Sequence, residues 1–207
     1  MLPSAAQFSA QMKALGAPKD ANFVVYDNHG FMPGPRVMYM IHAFGVNKLR
    51  LLNGGLHNWT LKNYPVETGP QGELPPAPEG DYNYTLDKNM IYDFDQVEAL
   101  QTEIGGGAGD KAIVDARGPD MFSKGNIPNS TNVPVGLFFD ETTHEVKSPA
   151  ALNEIFESKG IKKEQFVVFS CQRAITACSA AMAHSMRGGH KLAVYDGAFS
   201  EYGKKKA

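Results

Sequence analysis

The chain has 207 residues, a length that accommodates one large domain or two small ones. Hydrophobic residues make up 43% and charged residues 20%, an ordinary balance for a globular protein with a buried core. The formal net charge of −2 argues against a nucleic-acid partner, and no apolar run reaches the length of a membrane span, so we expect neither nucleic acid nor membrane as a partner.

The first part of the chain alternates short apolar runs with helical patterns. Phe23–Tyr26 predicts a buried parallel strand, because it is a continuous run of β-branched and aromatic residues. Residues 35–44 carry apolar side chains at helical spacing, residues 48–52 predict a second strand, and a short helix through Trp59 and Leu61 follows. The order β-α-β-α indicates a parallel sheet flanked by helices.

A segment rich in proline and glycine then interrupts the pattern. Residues 69–80 contain four prolines and three glycines without periodicity, which is typical of a linker. We therefore divide the chain into a first domain (residues 1–68), a linker (69–90) and a second domain (91–207). At the far end, the three lysines of residues 204–206 predict a solvated tail.

The second part repeats the theme of strands and helices. Helices are predicted over residues 95–104, 152–158 and 174–186, and strands over residues 112–115, 166–169 and 192–195. An internal repeat is visible, because residues 23–26 with the following loop and helix match residues 166–169 with theirs. Only the second copy has a cysteine in that loop, so we expect one working site and one structural copy.

Cys171 lies in this loop, between a predicted buried strand and a helix. Loops at the carboxyl ends of parallel strands bind ligands, and backbone amides at a helix N-terminus favour an anion. A thiol placed there is expected to ionise below its free pKa, and Arg173 adds a positive charge nearby. The alternative interpretation of Cys171 is a small buried core residue.

The second cysteine, Cys178, is interpreted as a core residue in a helix of small side chains. It lies two helical turns from Cys171, roughly 10 Å along one face, which is too far for a disulfide. We therefore expect a reducing compartment. The six histidines show no metal-binding spacing and no nucleotide-binding glycine motif occurs, so no cofactor and no metal are expected.

Two further features concern anions. Arg117 follows a predicted strand and either binds an anionic substrate group or forms an ion pair with Asp115 or Asp120; the sequence leaves both open. A cysteine phosphatase would place an arginine six residues after its cysteine, to grip the phosphate. Ala177 stands there, so phosphatase activity is disfavoured.

Taken together, these segments resemble the tandem-domain rhodanese family, which includes thiosulfate and 3-mercaptopyruvate sulfurtransferases. The resemblance covers nearly the whole chain and rests on the following matches: residues 34–36 and 52–59 with the inactive domain, residues 115–117 and 125–129 with the first signature, residues 171–176 with the active loop, and residues 195–202 with the second signature. It implies an α/β fold of two rhodanese-like α/β/α domains with central parallel sheets. The family's first domain normally has an additional opening segment with no counterpart here, so we expect an incomplete first domain.

The resemblance also implies a mechanism and partners. Cys171 would carry sulfur as a persulfide, stabilised by the backbone amides of the residues that follow it in the loop, namely Gln172, Arg173, Ala174, Ile175 and Thr176. Arg117 and Arg173 would hold a small anionic sulfur donor, and the acceptor would be cyanide or a thiol, with a thioredoxin-like protein as a candidate reductant. Such an enzyme needs no cofactor, and the family is compatible with the cytoplasm or the mitochondrion.

The active loop departs from both subtypes of the family, since residues 171–176 are Cys-Gln-Arg-Ala-Ile-Thr. Arg173 retains a cation at the third position, which favours a dianionic donor such as thiosulfate over 3-mercaptopyruvate. Ala174 replaces a glycine, so the loop is strained if this position needs a positive φ. The segment from Arg117 to Gly125 is short and lacks a second arginine, and Asn126 stands where histidine is common. An alternative to an active enzyme is a truncated, catalytically weak paralogue that serves as a sulfur carrier or interaction module.

Overall fold

The structure, a computed structural model, describes residues 2–70, 72 and 76–206. Within those residues the chain alternates helices and strands in the following order: α1 (Ala5–Ala14), β1 (Phe23–Val25), α2 (Pro33–Ala43), β2 (Leu49–Leu51), α3 (Gly55–Leu61), β3 (Ile91–Tyr92), α4 (Phe94–Gly105), β4 (Lys111–Asp115), α5 (Pro119–Ser123), β5 (Ser130–Asn132), α6 (Pro149–Ser158), β6 (Phe166–Ser170), α7 (Ile175–Met186), β7 (Leu192–Tyr195) and α8 (Ala198–Lys206). Short 3₁₀ helices occupy Lys88–Met90 and Val135–Phe138.

Five parallel strands form the larger sheet, in the order β3-β7-β6-β4-β5. Strand β6 is central and its residues after Phe166 are buried, as expected for a strand covered on both faces. Apolar side chains of α6 and α7 pack on one face and those of α4 and α8 on the other. The result is a three-layer α/β/α arrangement, which confirms the predicted fold class.

The smaller sheet consists of β1 and β2, paired in parallel with Phe23 opposite Leu49. Its inner face packs against α1 and α2, in a cluster whose buried members are Phe8, Met12, Ile41, Phe44, Val46 and Tyr84. The prediction that β1 is buried on both faces was wrong, because Val24 is 62% exposed and points away from this cluster. Helices cover one face of this two-stranded sheet, and Val24 and Arg50 are exposed on the other.

Helix α2 joins the two parts of the molecule by packing against α7. The Tyr39 hydroxyl donates to the Met90 carbonyl at 2.6 Å, and the Ser179 hydroxyl donates to the Met32 carbonyl at 3.2 Å. A second connection lies further along, where Lys62 forms an ion pair with Glu145 at 2.9 Å. The carboxyl end of β6 therefore faces a region to which both parts contribute.

Several elements escaped the sequence patterns. Helices α1, α5 and α8 and strands β3 and β5 were not predicted, although the predicted strands and helices of the repeat are present. Residues 204–206 are exposed, as predicted for a solvated terminus, but they form the last turn of α8 and not an irregular tail. Lys205 lies 3.2 Å from Glu201 and 4.2 Å from the centre of the Phe94 ring, while Lys206 pairs with Glu98.

The predicted linker is described only in part, because Gln71 and residues 73–75 lie outside the described residues. Its later portion is anchored rather than free: Tyr84 is buried and donates to the Ala17 carbonyl at 2.6 Å. Across the described portion of the chain, no helix combines the length and apolarity needed to cross a membrane.

Candidate active site

Cys171 is the first residue after the central strand β6, which ends at Ser170. Its side chain is 3% exposed and both cysteines are free thiols. The Cys171 carbonyl accepts a hydrogen bond from the Phe199 amide at 2.9 Å, which ties the start of the loop to α8. Burial by itself is also expected for a cysteine that is only a core residue. The features that distinguish a nucleophile from a core residue are therefore those of the loop around the sulfur.

The loop leaves its amides unpaired. Among the described residues, no acceptor takes a hydrogen bond from the backbone N–H of Gln172, Arg173 or Ala174. These groups immediately precede α7, a helix of 12 residues whose own first N–H groups also lack intrahelical partners. Unpaired N–H groups at a helix N-terminus form a favourable environment for an anion, because their dipoles and that of the helix add.

Ala174 adopts a left-handed backbone conformation. The sequence analysis predicted strain in the loop if this position required a positive φ. Its φ of 57° and ψ of 16° place it at the cap of α7, fully buried, where a glycine would be unstrained. Such a conformation costs about 1–3 kcal/mol for a residue other than glycine, so surrounding contacts must hold it. One is the Cys178 thiol, which donates to the Ala174 carbonyl at 3.2 Å.

Cys178 is the structural cysteine that the sequence indicated. It is fully buried inside α7, and burial raises the pKa of its thiol to about 12. The group therefore stays protonated at neutral pH and acts as a hydrogen-bond donor rather than a nucleophile.

Arg117 forms the buried ion pair with Asp115, one of the two alternatives that the sequence left open. Its Nη2 lies 2.7 Å from Asp115 Oδ2 and 2.8 Å from the Gly125 carbonyl, its Nε lies 3.0 Å from the same carboxylate, and its side chain is 3% exposed. The guanidinium also stacks over the Phe199 ring at 3.9 Å. These contacts engage Nε and Nη2 of Arg117 and connect Asp115, the Gly125 carbonyl and the Phe199 ring.

Gln172 is directed toward α8. Its Nε2 donates to Ser200 Oγ at 3.0 Å, the Ser200 hydroxyl donates back to the Gln172 carbonyl at 2.6 Å, and Arg117 Nη1 lies 3.5 Å from its Oε1. The Gln172 side chain therefore anchors the loop to α8. The group of Gln172 that remains available to bind an anion is its backbone N–H.

Arg173 differs from Arg117, because its side chain is exposed beside the loop. It makes no ion pair with any residue that the structure describes. An exposed guanidinium two residues after the candidate nucleophile is available to an anionic molecule approaching from solvent.

Arg36 also lies in the region of the site. Sequence analysis had matched this residue with the inactive domain and gave it no role at the site. From α2 it reaches Asp196, which follows β7, with Nη2 2.8 Å from Oδ1; the two side chains are 15% and 13% exposed. Burial by itself raises the pKa of the Asp196 carboxyl, but the hydrogen bonds that it accepts, including those from Arg36 and the Leu2 amide, hold its pKa below the ordinary value. No pattern in the sequence links residues 160 positions apart.

Comparison with known proteins identifies the class of this fold and site. The family model for the rhodanese-like domain matches residues 96–205, which include the larger sheet from β4 onward and the whole Cys171 loop. The crystal structure of a 3-mercaptopyruvate sulfotransferase from Escherichia coli superposes with a TM-score of 0.83 at 28% identity, covering 96% of this chain and 74% of that one.

Curated relatives agree with this assignment. Thiosulfate sulfurtransferase of Cricetulus griseus is 34% identical over 211 residues, which cover 98% of this chain and 69% of the relative. The 3-mercaptopyruvate sulfurtransferase of Escherichia coli strain K12 is 29% identical over 216 residues, covering 99% and 73%. The chain belongs to the rhodanese family, and these matches support a sulfurtransferase activity.

Proposed function

We propose that the chain transfers sulfane sulfur from thiosulfate to a thiophilic acceptor through a persulfide on Cys171. The observation that carries the proposal is the position of this cysteine at the carboxyl end of the central strand, followed directly by amides that donate to no described protein group. Residues 91–207 would form the catalytic domain, residues 69–90 the linker and residues 1–68 an inactive copy.

The reaction proceeds in two displacements at sulfur. The Cys171 thiolate attacks the outer sulfur of thiosulfate, the sulfur–sulfur bond of the donor breaks, and sulfite leaves with the bonding electron pair. The persulfide anion that results is stabilised by the amides of residues 172–176 and the positive end of α7. Cyanide or a thiol then attacks the terminal sulfur and releases the Cys171 thiolate; a thioredoxin-like protein is a candidate thiol acceptor.

Arg173 supports thiosulfate over 3-mercaptopyruvate. Its exposed side chain follows Cys171 by two residues and pairs with no described residue, so it can attract a dianion more strongly than a monoanion. Arg117 would support the loop through Gln172 and Phe199, and would not contact the donor.

Intact mass measurement tests this proposal. The protein is incubated with thiosulfate or 3-mercaptopyruvate and desalted, and its intact mass is measured by mass spectrometry before and after exposure to cyanide. We expect thiosulfate to add the mass of one sulfur atom, cyanide to remove it with formation of thiocyanate, and Cys171→Ser to form no adduct. Cys178→Ser is the matched control and should still accept sulfur.

Three outcomes would change the conclusion. An adduct retained by Cys171→Ser would place the sulfur carrier elsewhere. An adduct that no acceptor removes would favour the sulfur-carrier alternative, and absence of any adduct in folded protein would favour an interaction module.

A further inference from the structure

The active loop is contacted by a side chain from the other part of the molecule. Arg36, in the first turns of α2, directs its guanidinium at three groups around the loop. Its Nη2 lies 2.8 Å from Asp196 Oδ1, and its Nη1 lies 3.5 Å from the Ala174 carbonyl and 3.9 Å from Cys178 Sγ. Asp196 thus holds one end of the guanidinium while the other end faces the loop.

The Ala174 carbonyl is where such a contact has the greatest effect on the loop. Ala174 occupies the left-handed region with a φ of 57°, a conformation that its Cβ disfavours. Its carbonyl shares a rigid peptide plane with the N–H of Ile175, and the two groups point in opposite directions across a trans peptide. Holding the carbonyl toward Arg36 and Cys178 therefore determines the direction of the Ile175 N–H.

We propose that Arg36 is a positioning residue for sulfur transfer: anchored by Asp196, it holds the Ala174 carbonyl and so keeps the Ile175 amide oriented for the anion on Cys171. This inference rests on the proposed function, because it concerns the same persulfide. It assigns the first part of the chain a direct contribution to the loop, although that part has no cysteine of its own. A guanidinium suits this role, since its two terminal nitrogens contact the carboxylate and the carbonyl at the same time.

Steady-state kinetics of purified full-length variants tests the role of Arg36. For Arg36→Met with thiosulfate and cyanide, we expect kcat to fall at least about tenfold while KM for thiosulfate changes less than about threefold, because the loop and not donor binding is altered. Arg36→Lys should recover only part of kcat, since an ammonium can pair with Asp196 but cannot reproduce the fork. Asp196→Asn should lower kcat in the same direction, because it loosens the anchor.

The matched control is Lys62→Met, which removes a different ion pair between the two parts, with Glu145. We expect its kcat to remain near that of the wild type, which would separate loop positioning from a general weakening of the interface. Circular dichroism and thermal unfolding establish that each variant is folded. If Arg36→Met does not fold, the kcat values of Arg36→Lys and Asp196→Asn decide the question.

The possible failures are distinguishable. A wild-type protein that forms no Cys171 adduct would overturn the proposed function and this inference together. A wild-type protein that turns over normally, with a folded Arg36→Met variant of equal kcat, would overturn only the inference. An effect confined to KM would also overturn it, because it would make Arg36 a donor-binding residue.

Discussion

The loops after β1 and after β6 occupy equivalent places in the internal repeat, yet their backbone amides differ in whether the protein supplies a hydrogen-bond acceptor. After β1, the Asp27 carboxylate accepts hydrogen bonds from the His29 and Gly34 amides, both at 2.6 Å, at the entrance to α2. After β6, the amides of residues 172–174 find no acceptor among the described residues, and Cys171 stands at the head of the loop. The loop after β1 therefore binds an anion of the protein itself, the Asp27 carboxylate, whereas the amides after β6 remain available to an anion on Cys171.

This difference explains why one copy of the repeat can be structural and the other catalytic. A helix N-terminus favours negative charge wherever it occurs, so the question is whether the protein or a substrate provides that charge. Asp27 closes its loop permanently, and Gly34 permits the close approach because a Cβ there would lie 2.5 Å from Asp27 Oδ2. A persulfide on Cys171 would provide the corresponding charge only during turnover.

Removing the cation that braces the open loop should have the largest effect on stability. Arg117→Met leaves the fully buried Asp115 carboxylate without its partner, and we expect a loss of about 3–5 kcal/mol in the free energy of unfolding. Urea denaturation measures it. Lys111→Met is the control on the same strand, because its ion pair with Glu103 is solvent-exposed and should contribute much less to stability. Equal losses in both variants would contradict a bracing role.

Removing the Asp27 carboxylate from the loop after β1 should lower stability without changing the rate of sulfur transfer. In Asp27→Ala the His29 and Gly34 amides lose their acceptor, which should cost about 1–3 kcal/mol in urea denaturation. At a temperature where the variant is fully folded, sulfur transfer from thiosulfate to cyanide should match the wild type. Asp20→Ala, at an exposed aspartate, serves as the control. A large loss of kcat in folded Asp27→Ala would show that the two loops are not functionally distinct.

Neutralising the exposed cation of the open loop should affect the donor. For Arg173→Gln we expect KM for thiosulfate to rise about five- to tenfold, equivalent to about 1 kcal/mol, with a smaller rise for 3-mercaptopyruvate. Increasing salt should reduce the difference between wild type and variant, since the side chain is exposed. Arg50→Gln removes an exposed arginine from β2 and should leave KM unchanged. Unchanged thiosulfate kinetics in Arg173→Gln would argue against thiosulfate selection by this residue.

Relieving the strain of the open loop should produce the smallest effect and the opposite sign. Ala174→Gly removes the Cβ that disfavours a φ of 57°, so the free energy of unfolding should rise by about 0.5–1 kcal/mol. Ala151→Gly, in the first turn of α6, should instead lower it by about 0.5–1 kcal/mol. Thermal unfolding measures both. A destabilised Ala174→Gly variant would mean that the left-handed conformation is not strained.

Local patterns succeeded where side-chain periodicity and burial coincide. The strands over residues 166–170 and 192–195 are continuous apolar runs in a sheet covered on both faces, so their composition reports their environment. β5 contains only Ser130, Thr131 and Asn132, and β3 only two residues, so neither carries a hydrophobic pattern. Residues 204–206 were interpreted as a tail because the sequence does not show the contacts that Lys205 and Lys206 make with Glu98, Glu201 and Phe94.

The sequence by itself determined the α/β class and the position of Cys171 between a strand and a helix. These features follow from residues close together in the chain, whose types and spacing restrict the local conformation. Tertiary structure alone decided that Arg117 is held by Asp115 while Arg173 remains exposed, and that Arg36 and Asp196 meet beside the loop. Those choices depend on burial and on the packing of α2 against α7, which bring distant charges into contact and remove them from water.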